Sequence, residues 1–167
     1  ARENDSDQVV ELLEAFYKAV GQAANTHGGT IKDHAGDGVM LLVGAPVHRD
    51  DHAAAAMQLA LDIKQRVLAM LKDVGLANEL GVGVGIATGQ ITVGTIRGAG
   101  QLEYVAVGNA VNLAARLCDR AVNGQLLSDE RTVEEASSSA LAGAVVEPQA
   151  PEPLKGFSEP VSVCSIR

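Results

Sequence analysis

The stretch that most limits how this chain can fold is residues 102–120, LEYVAVGNAVNLAARLCDR. It begins as a strand, Tyr104-Val105-Ala106-Val107, breaks at Gly108 and continues as a helix from about Asn109. Ala110, Leu113, Ala114, Leu117 and Ala121 recur at helical spacing and predict a buried face. Asn112 and Arg116 stand at i and i+4, so they project side by side. An amide beside a guanidinium near a strand end suits a polyanion at its reacting centre. An ordinary amphipathic helix with two polar surface residues has the same spacing, and such pairs are common.

The rest of the chain supplies elements for this strand-turn-helix to pack against. Asp5 or Ser6 is expected to cap a first helix whose apolar stripe is Val9, Leu12, Leu13, Phe16 and Val20, ending at Gly28-Gly29. Residues 30–46, TIKDHAGDGVMLLVGAP, read as strand (30–34), tight turn Ala35-Gly36-Asp37-Gly38, and strand (39–43). An acid between glycines at a hairpin tip is well placed for a cation, although Gly-Asp-Gly also favours turns that have no function. Pro46 ends the hairpin. Asp50 or Asp51 is expected to cap a long helix with Ala53, Ala56, Met57, Ala60, Leu61, Val67, Leu68 and Leu71 on its apolar face, closed by Gly75. His48 and His52 flank that cap and read as solvated loop residues rather than metal ligands.

Residues 81–88, GVGVGIAT, alternate glycine with branched residues, and a turn at Gly89-Gln90 predicts a hairpin with a strand at 91–96. No strand-turn-helix surrounds these glycines, so they are not a dinucleotide-binding fingerprint. Residues 97–101 read as a glycine-rich loop. Beyond Arg120 come a short strand at 125–128 and a short helix at 129–136. Loops are expected at Ser137-Ser138-Ser139 and at 147–153, and residues 153–157 and 161–166 read as a turn and an edge strand. Helices interleaved with antiparallel hairpins predict an α+β fold.

At 167 residues the chain is long enough for one domain with a sizeable core. Aromatic residues make up only 2%, so Ala, Val, Leu and Ile must fill that core. A net charge of -8 argues against a general nucleic-acid surface and means that an anionic substrate needs local cations or a metal. Cys118 and Cys164 read as small buried hydrophobes, in keeping with a reducing compartment. No apolar run reaches membrane-spanning length. The chain opens without Met on a polar segment, so a longer protein with a sensor or anchor domain upstream is expected.

Four separated motifs, HGGTIKDHAGDGVMLLVGAP, GVGIATGQITVGTI, EYVAVGNAVNLAARL and PLKGFSEPV, occur in an order and spacing that resemble the class III adenylyl/guanylyl cyclase catalytic domain over nearly the whole chain. The resemblance implies a ferredoxin-like antiparallel sheet flanked by helices. It also implies a cytoplasmic domain that makes no membrane contact itself and works as a homodimer, with sites built across the interface. The implied chemistry is attack of a 3′-hydroxyl on the α-phosphate of the same nucleoside triphosphate, with Mg²⁺ or Mn²⁺ holding the phosphates. Asp37 matches the second of two metal-binding aspartates. The first lies in the family on a strand preceding the opening helix, upstream of this chain, so residues 1–167 alone are expected to be nearly inactive. Asn112 matches the residue that orients the ribose, Arg116 the one that meets charge at the α-phosphate, and Lys155 the phosphate-binding lysine.

The resemblance departs at base recognition. Asp33 stands where adenylyl cyclases commonly place Lys and guanylyl cyclases Glu, and Val105 stands where adenylyl cyclases often place Asp or Thr. Lys32 is not expected to substitute, because neighbouring strand side chains face opposite ways. Asp33 can accept from guanine or pair locally, and Val105 offers no hydrogen bond. ATP is therefore expected as substrate with GTP close behind. The competing expectation is a silent cyclase-like module that dimerises or binds nucleotide for regulation. A diguanylate cyclase is disfavoured, since no GGDEF-like segment occupies the hairpin.

Overall fold

A computed structural model describes residues 2–98, 100–122, 124–136, 141 and 143–167, with side chains from residue 6 onward. The elements are α1 (Arg2–His27), β1 (Thr30–Ala35), β2 (Gly38–Leu42), α2 (His52–Asp73), β3 (Val84–Ile86), β4 (Thr92–Gly98), β5 (Gln101–Val107), α3 (Asn109–Arg120), β6 (Leu126–Asp129), α4 (Glu130–Glu135), β7 (Val146–Pro148) and β8 (Val163–Ile166).

A four-stranded sheet, ordered β3-β6-β8-β7, forms the centre. Side chains alternate across it. Leu126, Cys164 and Ile166 face Met57 and Ala60 of α2, whereas Leu127 and Val163 face Leu117 of α3. Both faces are covered, so every residue of β6 and β8 is buried. The other side of α2, through Leu59, Ile63, Val67 and Leu71, packs on Ala19, Val20 and Ala23 of α1. The result is an α+β arrangement of antiparallel pairs and flanking helices, with one parallel pairing, β3 on β6.

Glycine decides how close α3 lies to the sheet. A Cβ on Gly85 would sit 2.3 Å from both the Ala114 carbonyl oxygen and the Cys118 nitrogen, and one on Gly83 would sit 2.5 Å from the Ala121 oxygen. The alternating glycines of 81–88 thus mark a strand over which a helix backbone passes in direct contact.

Several sequence expectations are corrected. β3 does not form a hairpin with β4; it pairs with β6, and β4 pairs with β5 from Thr92↔Val107 to Gly98↔Gln101. The reason is burial. β3 sits between two covering helices and needs a buried partner, while β4 is largely exposed and finds one in β5. Of residues 97–101, expected as a loop, Arg97 and Gly98 therefore belong to β4 and Gln101 to β5, while residue 99 is outside the described residues. β8 is not an edge strand, because β7 flanks it; Val146–Pro148, with Glu147 and Pro148 expected in a loop, takes the edge, where Pro148 lacks a donor without harm. α1 starts at Arg2, so Ser6 lies inside it rather than capping it; the Asp5 side chain is outside the described residues, as is the loop expected at Ser137-Ser138-Ser139. Val9 and Leu68, expected on buried stripes, are exposed, and Leu59 and Ile63 replace Leu68 in the α1–α2 contact.

Asp51 occupies the N-cap of α2 but its side chain makes no cap bond. Arg49 engages it instead through Nε and Nη2, at 2.6 and 2.7 Å, while Nη1 donates to the His27 carbonyl at the end of α1. His52 is not free in solvent either: Nδ1 contacts the Arg49 carbonyl and Nε2 lies 3.0 Å from Glu135, tying α2 to α4. Cys164 is buried as expected, but Cys118 is exposed, with only its Sγ turned toward the Gly83 carbonyl.

Gly85→Ala should destabilise the protein by about 1–3 kcal/mol, because only backbone atoms can yield to the new methyl group. Gly94→Ala in β4, where a Cβ meets nothing within 4 Å, should leave stability within about 0.5 kcal/mol. Urea unfolding of the two variants checks the contrast.

Candidate active site

The residues singled out in the sequence fall on the β1–β2 hairpin, on α3 with the turn at 154–157, and, for Val105, on the β4–β5 ribbon. In the hairpin, Ala35 pairs with Gly38 across the turn, Gly36 adopts φ +61°, and Asp37 is exposed at the tip. A bulge between Ile31 and Asp33 breaks the alternation expected for this strand. Lys32 Nζ consequently lies 3.6 Å from Asp33 Oδ2, with the Lys32 side chain 15% exposed and that of Asp33 63%. Asp33 Oδ1 also accepts from the His34 amide at 2.9 Å. The expectation that Lys32 points away from Asp33 does not hold, and the local pairing foreseen for Asp33 is present.

The second unit is α3 with the turn at 154–157. Leu117 is fully buried against Leu154, with Leu113 and Phe157 packed alongside. This contact carries the turn, closed by the Phe157 amide on the Leu154 carbonyl at 3.0 Å, to the flank of α3. Arg120 and Glu152 form an ion pair that fixes the strand leading into the turn. Lys155 is exposed at its crest, and Asn112 and Arg116 stand on α3 itself. Arg116 Nη1 donates to Asp119 at 3.2 Å. Asn112, Arg116 and Lys155 therefore ride on one packed body, two helical residues and one loop residue joined through Leu117 and Leu154.

The hairpin approaches the strand that carries Val105, with β1 touching β5. Cys118 is exposed as a residue, but its Sγ is turned inward toward the Gly83 carbonyl, and this burial pushes the thiol up, with the charges of Asp119 and Asp37 adding to the shift. Val105 shares its face of the β4–β5 ribbon with Ile96 and Val107; Arg97 points from the opposite face.

Among the described residues no group of three or more His, Cys, Asp or Glu gathers to hold a metal ion. A divalent cation that prefers oxygen takes six or more ligands, several of them anionic or carbonyl. Asp37 supplies one carboxylate, so the described residues do not make a metal centre by themselves.

A cleft of about 500 Å³ lies between the Thr88–Gln90 loop, Asn109 and Ala110 at the start of α3, Arg131 and Phe157. None of the site residues anticipated above lines it. Beneath it the buried Asp129 caps α4, accepting from the Thr132 amide at 3.2 Å and from the Thr132 hydroxyl. Burial pushes the Asp129 carboxyl up despite these donors. Sequence reasoning placed a helix start at Asp129, but no signal marked the cleft.

Residues 1–157 match the family model for the adenylate and guanylate cyclase catalytic domain. The chain belongs to that family. Among solved structures it superimposes on the adenylyl cyclase CyaB from P. aeruginosa with a TM-score of 0.83 and 26% identity, covering 96% of this chain and 83% of that one. It superimposes on the guanylyl cyclase Cya2 with a TM-score of 0.80 and 28% identity, covering 96% and 81%. An uncharacterized protein of Mycobacterium tuberculosis, MT1361, is 34% identical over 94% of this chain, which spans only 27% of the relative's length. No helix among the described residues of this cyclase-family domain is long and apolar enough to cross a membrane.

Asp129→Ala should destabilise the domain by about 1–2 kcal/mol through loss of the cap. The pH response has a definite sign. Because the folded carboxyl binds its proton more tightly than the unfolded one, its contribution is full below the ordinary carboxylate pKa and declines as pH rises through the elevated one. Asp129→Asn should abolish that part of the slope, checked by urea unfolding of both proteins across the acidic range.

Proposed function

We propose that this domain converts a purine nucleoside triphosphate to its 3′,5′-cyclic nucleotide and pyrophosphate for signalling. The observation that supports the reading is the packing of Leu117 on Leu154, which joins the helix carrying Asn112 and Arg116 to the turn carrying Lys155. A guanidinium, an ammonium and an amide carried on elements that pack together suit a triphosphate whose charge shifts during displacement. In this reading Asn112 orients the ribose, Arg116 meets charge at the α-phosphate, and Lys155 binds the departing phosphates. Mg²⁺ or Mn²⁺ would be held by Asp37 together with a second aspartate from outside the described residues, and would supply charge neutralisation.

The domain acts as a homodimer on this reading. The β4–β5 ribbon stands apart as its own two-stranded sheet, and Ile96 and Val107, 52% and 64% exposed, border Val105 on its outer face. Exposed branched residues of this kind, set beside Thr92 and Glu103 on the same face, suit a mixed apolar and polar contact with a second copy. We further place the domain in the cytoplasm, as the single catalytic unit of a longer protein.

Substrate choice follows from what surrounds the base positions. Asp33 is engaged by Lys32 and the His34 amide, and Val105 has no polar atom. Sites without dedicated hydrogen-bonding partners discriminate weakly. The enzyme therefore uses ATP, with GTP within roughly tenfold in kcat/KM, about 1.4 kcal/mol. A paired Asp33 and an apolar Val105 also favour a second reading, a silent regulatory module that binds nucleotide or dimerises without turnover.

Mn²⁺-dependent turnover of ATP and GTP by an N-terminally extended protein decides between them. Cyclic product that falls about 10²–10³-fold on Arg116→Ala supports the enzyme. Nucleotide binding with no cyclic product from either base supports the silent module. Asp33→Lys combined with Val105→Thr should shift kcat/KM toward ATP; a strong base preference in the unsubstituted protein would mean that other residues read the purine.

A further inference from the structure

Asp37 sits on a tip that the hairpin alone does not hold. Gly36 and Gly38 flank it, and no Cβ at Gly36 meets an atom within 4 Å, so neither side chains nor packing brace the turn from above. One contact does reach it from outside the hairpin. The hydroxyl of Tyr17, on α1, donates to the carbonyl of Gly36, the residue before Asp37. The ring of Tyr17 also meets the His34 imidazole edge-on, with centroids 4.7 Å apart, at the residue after Asp33. Phe16 lies tilted against it at 5.7 Å. One half-buried aromatic thus touches both ends of the segment that carries Asp33 and Asp37.

Composition makes this tyrosine unusual. The chain has only two Tyr and two Phe, and the buried residues of the α1–α2 contact are aliphatic, with Phe16 packed against them and Tyr17 outside the cluster. A phenol there is not needed to fill volume. Its polar end reaches a backbone acceptor, the arrangement in which a tyrosine combines apolar packing with one fixed bond. The anchor of Tyr17 is firm, because the neighbouring Ala19 and Val20 are buried against α2. A rigid helix therefore transmits its position to a tip that glycine would leave free to hinge.

We infer that Tyr17 is a positioning residue that latches the Gly36-Asp37 tip to α1 and so fixes where the Asp37 carboxylate points. The inference rests on the reading of Asp37 as a metal-binding carboxylate, and it deepens that reading by naming what aims the ligand. Tyr17 touches neither substrate nor metal and acts only through the Gly36 carbonyl.

Two measurements on Tyr17→Phe test it, one of which needs no catalysis. Backbone amide exchange at residues 35–38 should quicken by about fivefold, the ratio equivalent to one lost hydrogen bond of about 1 kcal/mol. Exchange in α1 and α2 should stay as in the parent, since the phenyl ring keeps its packing. In the N-terminally extended protein the Mn²⁺ concentration for half-maximal turnover should rise by a similar factor, with the nucleotide KM unchanged; a general loss of structure would move both. Tip exchange at the parental rate, or faster exchange with no change in Mn²⁺ demand, overturns the latch. Asp37→Asn separates the two ideas. If it leaves the Mn²⁺ response intact, the metal reading of Asp37 fails; if it abolishes the response while Tyr17→Phe does not shift it, only the latch fails.

Discussion

The backbone of α3 lies directly on β3, and the rest of the domain is arranged around that contact. Gly83 and Gly85 remove the side chains that would hold the helix off, bringing Ala114, Cys118 and Ala121 within a methyl group's width of the strand. At that depth Leu117 is driven fully under the helix, where it meets Leu127, Val163 and Leu154. Leu154 in turn carries the 154–157 turn. The position of Lys155 relative to Asn112 and Arg116 is therefore a consequence of two glycines on a neighbouring strand. A larger residue there would lift the helix and separate its polar face from the loop cation without altering any residue of either.

This dependence explains what the sequence disclosed and what it concealed. The periodicity of Asn109–Arg120 located α3 and its buried side, because a 3.6-residue stripe is a local property. The Gly-Asp-Gly turn was legible for the same reason, since left-handed backbone selects glycine at the turn itself. Strand partners were not legible. GVGVGIAT followed by Gly89-Gln90 looks like half a hairpin, yet β3 pairs with a strand some forty residues later because both are covered on two faces. Period-2 alternation shows that a segment is a strand and not which strand it meets. The bulge at Lys32 was concealed too, and it matters more, because it turned an argument about opposite faces into a side-chain contact.

Long-range polar contacts were the other hidden layer. Arg49 joins the end of α1 to the start of α2, His52 joins α2 to α4 through Glu135, and Arg120 joins α3 to Glu152. Each links residues distant in sequence and none has a local motif. The acid expected to cap α2 illustrates the competition. Asp51 stands at the right position, but a forked guanidinium two residues away takes both its oxygens and is the stronger partner.

The two arginines of α3 show how a protein of net charge -8 can still offer cations to an anion. Arg120 is held by Glu152 on a neighbouring segment, at the point where the chain enters the Lys155 turn. Its charge is spent on structure. Arg116 pairs only with Asp119, one turn along the same helix, and the two side chains are 42% and 68% exposed. An exposed pair of that kind contributes about 0–1 kcal/mol and is readily exchanged. A triphosphate oxygen, more highly charged and approaching a partly desolvated surface, competes for the guanidinium on favourable terms. Of the two arginines of α3, the one that the proposed reading turns toward a polyanion is thus the one with the more exposed pairing.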